Sequence, residues 1–377
     1  MSQLLIHCAF LNSIYVTFNI TTIFFYLFFF SLLFNTLYYI FLMIQGMKVP
    51  VIATLSERCP ISILVCTRNG KNRLPGLIER LVDQDYYCYE ILLIDDNSTD
   101  GTWEYLQDLE NTYSVIRTFH IESTRPGKKE ALYYGLSKAK YAWIAVTDDD
   151  CLPSKEWLAV MSEHRSPSDH FILGYSPYKR EKGVLNKLIR YETVLTAIQY
   201  FGWALAGKPY MGVGRNMMFK KEGTPAYEQL HPELASGDDD LMIAGSGTGD
   251  NTGVCMHKDA FVYSVPKQSW KTWWAQKKRH VTTARHYGVF HKVLLSIYGG
   301  SQILILLSIP LLFTTYWGWV LSFLLLRYLL LFPLFSQLFN RFEARDLLFE
   351  LPLLDMGMSI VYLLLIPDGL FGKGMDW

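Results

Sequence analysis

Apolar positions along this chain fall into two regimes. From about residue 18 to 44 the sequence is rich in Phe, Leu, Ile and Tyr and carries no charge. That run is longer than the ~20 residues an α-helix needs to cross a bilayer. The same regime returns near residue 293. Residues 293–316 and 317–338 read as two spans broken at Thr314 and Thr315, and 340–350 is charged. Residues 351–366 form a shorter apolar run around Asp355, either a third span or a re-entrant or interfacial segment. Arg327, inside the second run, must face a protein partner or a cavity.

Between these ends, short apolar runs alternate with stretches of helical spacing. Strands are predicted at 61–66, 90–94, 114–121, 141–146, 170–175 and 260–265. Helices are predicted at 72–83, 102–110, 126–139, 154–164 and 184–206, with Ser98 or Thr99 capping the second and Ser154 the fourth. Strand–helix alternation of this kind predicts an α/β sheet. Residues 270–280 place tryptophans and lysines close together, as in a helix lying among lipid headgroups. The expected layout is an anchor at 1–47, a linker at 48–60, an α/β domain at 61–268, an interfacial region at 269–292 and a membrane region at 293–377.

The 377 residues hold 35 basic and 35 acidic side chains, a balance that gives no reason to expect nucleic acid. No Lys or Arg precedes Lys48, so a cleaved signal peptide with a basic start is not expected. With Lys48 and Arg58 the first basic residues, the N-terminus is expected outside and the α/β domain on the cytoplasmic side of the plasma (inner) membrane. The cysteines at 8, 59, 66, 88, 151 and 255 form no C-x-x-C pair and read as thiols of a reducing compartment.

Ligands of open α/β sheets sit beyond the carboxyl ends of the strands. Three polar turns fall there: Thr67-Arg68-Asn69, Asp95-Asp96 and Asp148-Asp149-Asp150. Alternate residues of an extended segment share a side, so Asp148 and Asp150 can face one ligand while Asp149 turns away. Adjacent carboxylates repel unless a cation sits among them, and a hard divalent ion such as Mg²⁺ or Mn²⁺ suits oxygen donors. A second acidic cluster, Asp238-Asp239-Asp240, heads an apolar helical segment. No G-x-G-x-x-G follows the first strand and no P-loop is present.

Taken in order, T-R-N, D-D-N-S-T-D-G-T, P-G-K-K-E-A-L, T-D-D-D, S-G-D-D-D-L and Q-K-K-R-H resemble the family 2 glycosyltransferases, over about residues 60–280. The branch most similar is the membrane-anchored one that includes cellulose and hyaluronan synthases. The resemblance implies a GT-A fold, an α/β Rossmann-like domain with flanking transmembrane helices, and transfer of a sugar from a nucleotide sugar, a UDP-sugar by the family's leaning. The acceptor is implied to be a glycan or a lipid-linked molecule. It implies donor contacts from Thr67, Asn69, Asp95, Lys128, Asp148 and Arg279, with Arg125 a second basic candidate. Asp148 and Asp150 correspond to the D-x-D metal motif, their separate roles left open. Asp238 corresponds to the catalytic base, with Asp239 its rival and Asp240 bracing the helix. Acceptor contacts are implied for Gln276, His280 and Asn216. His280 stands where processive members carry Trp, and Gly237 where the family often has Glu. A processive polysaccharide synthase and a membrane scaffold with a decayed site are the alternatives. Oligomeric state leaves no mark on the sequence.

Overall fold

The computed structural model describes residues 2–48, 58–124 and 127–371, the side chains of 2–19 and 369–371 excepted. Most of the linker expected at 48–60, the Cys8 thiol and Arg125 lie outside the described residues. The elements run α1 (Ser2–Met47), β1 (Ile61–Thr67), α2 (Leu74–Val82), β2 (Tyr89–Asp96), α3 (Thr102–Thr112), β3 (Ile116–Ile121), α4 (Lys129–Lys138), β4 (Trp143–Val146) and β5 (Cys151–Pro153). They continue α5 (Trp157–Glu163), β6 (Phe171–Leu173), α6 (Val184–Leu205), β7 (Met217–Lys220), α7 (Asp240–Ser246), β8 (Thr252–Val254) and β9 (Val262–Ser264). Then follow α8 (Trp270–Val281), α9 (Val289–Leu312), α10 (Trp317–Arg341) and α11 (Leu351–Phe371).

The α/β expectation is met. Seven strands form one sheet in the order β3-β2-β1-β4-β7-β6-β8. β1 pairs in parallel with β2 and β4, and β2 with β3, while β7 runs antiparallel to β4 and β6. Strand periodicity divides the core. Ile61, Ile63, Val65, Ile91, Leu93, Trp143 and Ala145 pack one face against α2, α3 and α5. Leu64, Leu92, Ile94, Ile144 and Val146 pack the other against α4, α6 and the long apolar helices. From β1 the chain steps outward to β2 and β3, then returns to β4 on the other side of β1. Strand order therefore reverses between β1 and β4, and the crevice beyond their carboxyl ends is where such sheets bind ligands.

Several local expectations need correction. The strand expected at 260–265 is β9, outside the main sheet; it pairs with β5, a three-residue strand too short to announce itself. β8 gave no signal for the same reason. Ser154 does not cap α5: its hydroxyl donates to the Asp259 carbonyl, and Glu156 holds the cap position. Gly101 occupies the cap position of α3, and Asp100, not Ser98 or Thr99, accepts from the Thr102 amide at 3.1 Å.

Among the described residues, four segments are long and apolar enough to cross a membrane: Ile20–Met47, Val289–Leu312, Trp317–Arg341 and Arg345–Asp368. The last is fastened at one end to α6 of the α/β domain and at the other to α8. Before it, Asp346 pairs with Arg190 at 2.6 Å and Glu350 with Lys187 at 2.5 Å. At its far end Asp368 pairs with Lys278 at 3.2 Å. α11 thus packs against α6, α8 and α9. Arg327 finds its partner here: Asp355 accepts from it at 2.9 Å and also from Gln302 and Tyr328, both at 3.2 Å. Their side chains are only 3% and 8% exposed. Asp355→Leu strands a buried guanidinium and is expected to cost about 3–5 kcal/mol. A lowered thermal midpoint in detergent checks this, and adding Arg327→Met should recover most of the loss.

Candidate active site

Five chain segments meet beyond the β1/β4 crevice. The loop after β4 brings Asp148, Asp149 and Asp150; the start of α4 brings Lys128; the turn before α7 brings Asp238, Asp239 and Asp240. α8 brings Gln276, Arg279 and His280, and the turn before β7 brings Arg215. All of them line one cavity of about 1030 Å³. Two glycines in the left-handed region shape the junction, Gly127 at φ +85 and Gly237 at φ +87. A Cβ on Gly127 would sit 2.5 Å from the Ala235 carbonyl, so this loop closes onto the acidic turn only as glycine.

Lys128 is the knot. Its Nζ lies 2.6 Å from Asp148 Oδ1 and 3.1 Å from Asp238 Oδ2. Burial works against its charge, but Asp148, Asp238 and Asp239 together hold its pKa well above the usual lysine value. Burial likewise pushes Asp148 up, and Lys128 outweighs it, holding this carboxyl below its ordinary range. Asp150 has no such partner: burial, then Asp148 and Asp149, raise it. Asp149 turns aside, though not by the alternation expected of an extended segment. Residues 148–151 form a turn closed by the Cys151 amide on the Asp148 carbonyl at 3.2 Å, and Asp149 takes Arg73 Nη2 at 2.7 Å and Thr67 Oγ1 at 2.6 Å.

Asp148, Asp150 and Cys151 each offer a ligand atom within 4.8 Å of the others. Cys151 is buried, meets Ser264 Oγ at 3.1 Å, and its thiol is pushed up to about 12 by burial, so it is no thiolate ligand at neutral pH. Two carboxylates, one of them unfavourably charged, fit a hard cation bound through oxygen.

The three acids of the second cluster differ. Asp239 caps α7: Oδ1 accepts from the Asp240 amide at 2.9 Å and Oδ2 from the Gly214 amide at 2.5 Å. Burial, then Asp238, push its pKa up to about 6. Asp240 accepts from Tyr287 at 2.8 Å and Thr283 at 3.4 Å, bracing the helix as expected. Asp238 meets only Lys128 and keeps lone pairs toward the cavity. On α8, His280 is exposed and lines the cavity beside Lys277 and Arg279.

Four expected site residues lie elsewhere. Asn216 is fully buried: its Nδ2 donates to the Tyr175 and Ala260 carbonyls at 2.7 Å, and its Oδ1 accepts from Trp157 Nε1 at 2.9 Å. It is a core residue, and the acceptor role inferred from its glycine-flanked turn is not supported. Asn216→Ala would leave these groups unpaired and is expected to cost about 2–4 kcal/mol. Chemical denaturation checks this; acceptor affinity in the folded fraction should stay unchanged. Thr67 is spent on Asp149, and Asn69 on the Thr99 amide at 2.8 Å, so both brace loops beside the cleft. Asp95, paired across β1/β2 with Thr67, accepts from His120 at 2.8 Å. Asp95 Oδ1 and Asp96 Oδ2 are buried without a hydrogen-bond partner, which leaves two acceptors open at that strand end. Lys129, expected on the surface, is buried and donates to the His231 and Leu234 carbonyls at 2.9 Å.

Arg215 was not anticipated. Its guanidinium stacks over Tyr178 at 4.4 Å, lines the cavity and leaves Nη1 without a hydrogen-bond partner. Its place in Gly212-Val213-Gly214-Arg215 was the available signal, overshadowed by Asn216 next to it. Lys267, just past β9, adds another cation to the same wall.

Residues 62–222 match the profile of Glycosyl transferase family 2. Over 172 residues the chain is 27% identical to an uncharacterised glycosyltransferase of Haemophilus influenzae, covering 43% of this chain and 55% of that protein. Over 90 residues it is 30% identical to the GalNAc(5)-diNAcBac-PP-undecaprenol beta-1,3-glucosyltransferase of Campylobacter jejuni, covering 24% and 29%. The chain thus spans about half the length of the first relative and less of the second. Among solved structures it is similar to the mannosyltransferase PcManGT from Pyrobaculum calidifontis in complex with GDP-Man and Mn²⁺. The TM-score is 0.62 at 19% identity, with 94% of this chain and 99% of that chain covered. That likeness extends the GT-A fold beyond the α/β domain.

Proposed function

With a family 2 glycosyltransferase domain in residues 62–222, we propose that this protein is a membrane-bound, metal-dependent, inverting glycosyltransferase. It takes a sugar from a nucleotide-sugar donor and gives it to a glycan or lipid-linked acceptor, its active site on the cytoplasmic face of the plasma membrane. The observation that carries this is the meeting of Asp148, Asp150 and Asp238 in one cavity, with Lys128 between two of them.

Asp148 and Asp150 would hold Mg²⁺ or Mn²⁺, which supplies charge neutralisation for the departing nucleoside diphosphate. Arg279 and Arg215 present forked donors to the same diphosphate. Asp238 takes the proton of the acceptor hydroxyl as its oxygen attacks the anomeric carbon. The bond from that carbon to the diphosphate breaks, and the electron pair leaves with the diphosphate. Attack opposite the leaving group inverts the centre. Gln276 and His280 stand beside Arg279 where the acceptor approaches.

A panel of nucleotide sugars tested for hydrolysis and thermal stabilisation with Mg²⁺ or Mn²⁺ examines this reading. One donor should raise the midpoint only with metal present, following mass action. No response to any donor, with or without metal, would contradict it.

A further inference from the structure

The cavity continues past the carboxylates. It follows α6 from Ile189 to Tyr200 and descends between α9 and α11, where Leu295, Gly299, Gly300 and Ile303 face Leu365 and Ile366. Ile303 lies about 20 Å along α9 at 1.5 Å per residue, well inside the candidate span Val289–Leu312. A Cβ on Gly299 or Gly300 would meet nothing within 4 Å, so the helix borders open space here. On the outer face of the same turn Ile297 is 49% exposed, an apolar side chain suited to lipid. α11 turns Leu353, Met356, Ile360 and Leu364 outward at helical spacing, an apolar stripe suited to lipid.

Resting on the reading of the upper cavity as a sugar-transfer site, we propose that this lower groove seats the apolar chain of a membrane-resident amphiphilic acceptor. The chain lies between α9 and α11, and the head brings its nucleophilic oxygen up beside Asp238. The wall chemistry selects this occupant over a glycan. A sugar chain at the depth of Gly300 and Ile303 would lose water from its hydroxyls against walls that are mostly aliphatic, where the Tyr298 hydroxyl is already engaged by Tyr39 and Tyr362. An alkyl or isoprenoid chain gains by leaving water for the same walls. Continuity of one cavity from Asp238 to Ile303 allows head and chain to be bound at once.

The test uses the full chain in phosphatidylcholine nanodiscs with a long-chain alcohol bearing a mid-chain diazirine. After photolysis, label should map to peptides holding residues 295–303 and 362–366. Gly300→Leu fills the groove from a position with room for a side chain and should cut that labelling about ten-fold; should it not fold, Ile303→Trp fills the groove from the next turn. Label confined to the outer faces of α1 and α10, or undiminished in the filled variants, would overturn the proposal. So would displacement of the label by a water-soluble oligosaccharide. Nucleotide titration of the same sample separates the two readings. Labelling without nucleotide binding keeps the groove and removes the transfer reaction; nucleotide binding without labelling does the reverse.

Discussion

Asp238→Asn is expected to lower sugar transfer by about 10²–10⁴-fold, the usual worth of a general base. Donor affinity should stay within a few-fold. The expectation rests on how the three adjacent acids are used. Asp239 has both oxygens committed to backbone amides, and Asp240 is held by Tyr287 and Thr283. Only Asp238 faces the cavity with acceptor capacity beyond its Lys128 contact. Asparagine keeps the shape and loses the basicity, so kcat should fall while KM for the donor moves little. Asp239→Asn makes the control: asparagine can still cap α7, but its Nδ2 cannot accept from the Gly214 amide, so the damage should appear mainly as lost stability of about 1 kcal/mol. A steady-state comparison of the two variants decides the base; equal catalytic loss in both would return the role to the pair.

Asp150→Asn is expected to lower metal-dependent transfer by about 10²–10³-fold, the scale of removing one electrostatic stabiliser of a departing charge. Burial and the neighbouring Asp148 and Asp149 raise the pKa of this carboxyl. The sign follows directly. A raised folded-state pKa favours the protonated form, so ionising Asp150 at neutral pH costs stability that a bound cation returns. The stabilisation by Mn²⁺, read as a shift in thermal midpoint, should therefore be larger at neutral pH than at a pH within the ordinary carboxylate range, and vanish in Asp150→Asn. A shift of the same size at both pH values would contradict this use of Asp150.

The sheet and the acidic cleft were legible because both leave periodic or clustered marks. The apolar runs at 61–66 and 90–94 gave β1 and β2, and Asp148 and Asp150 were marked by their clustering, although they share the cleft across a turn and not through the two-residue repeat of an extended segment. The pairing of Lys128 with both acidic clusters was not legible, since it depends on loops brought together by strand order. Asn216 misled for a related reason. Its glycine-flanked turn looks like a loop built for a ligand, yet the side chain points inward, where Trp157 and two carbonyls satisfy it. Thr67 and Asn69 sit at the right strand end but spend their polar groups on neighbouring loops. α11 shows the limit of hydropathy: its composition suits a span, and the ion pairs of its two ends with Lys187 and Lys278 leave no such mark in the sequence.

The central claim is that acids from separate loops share one cation-bridged diphosphate. Phosphorus NMR of a nucleoside diphosphate bound to the full chain with Mn²⁺ tests it most directly, because the paramagnetic ion broadens only phosphates within its reach. The β-phosphate line should broaden strongly with the natural chain and return to the free-solution Mn²⁺ behaviour with the Asp148→Asn/Asp150→Asn double variant. Equal broadening with both proteins would place the ion elsewhere and contradict the site.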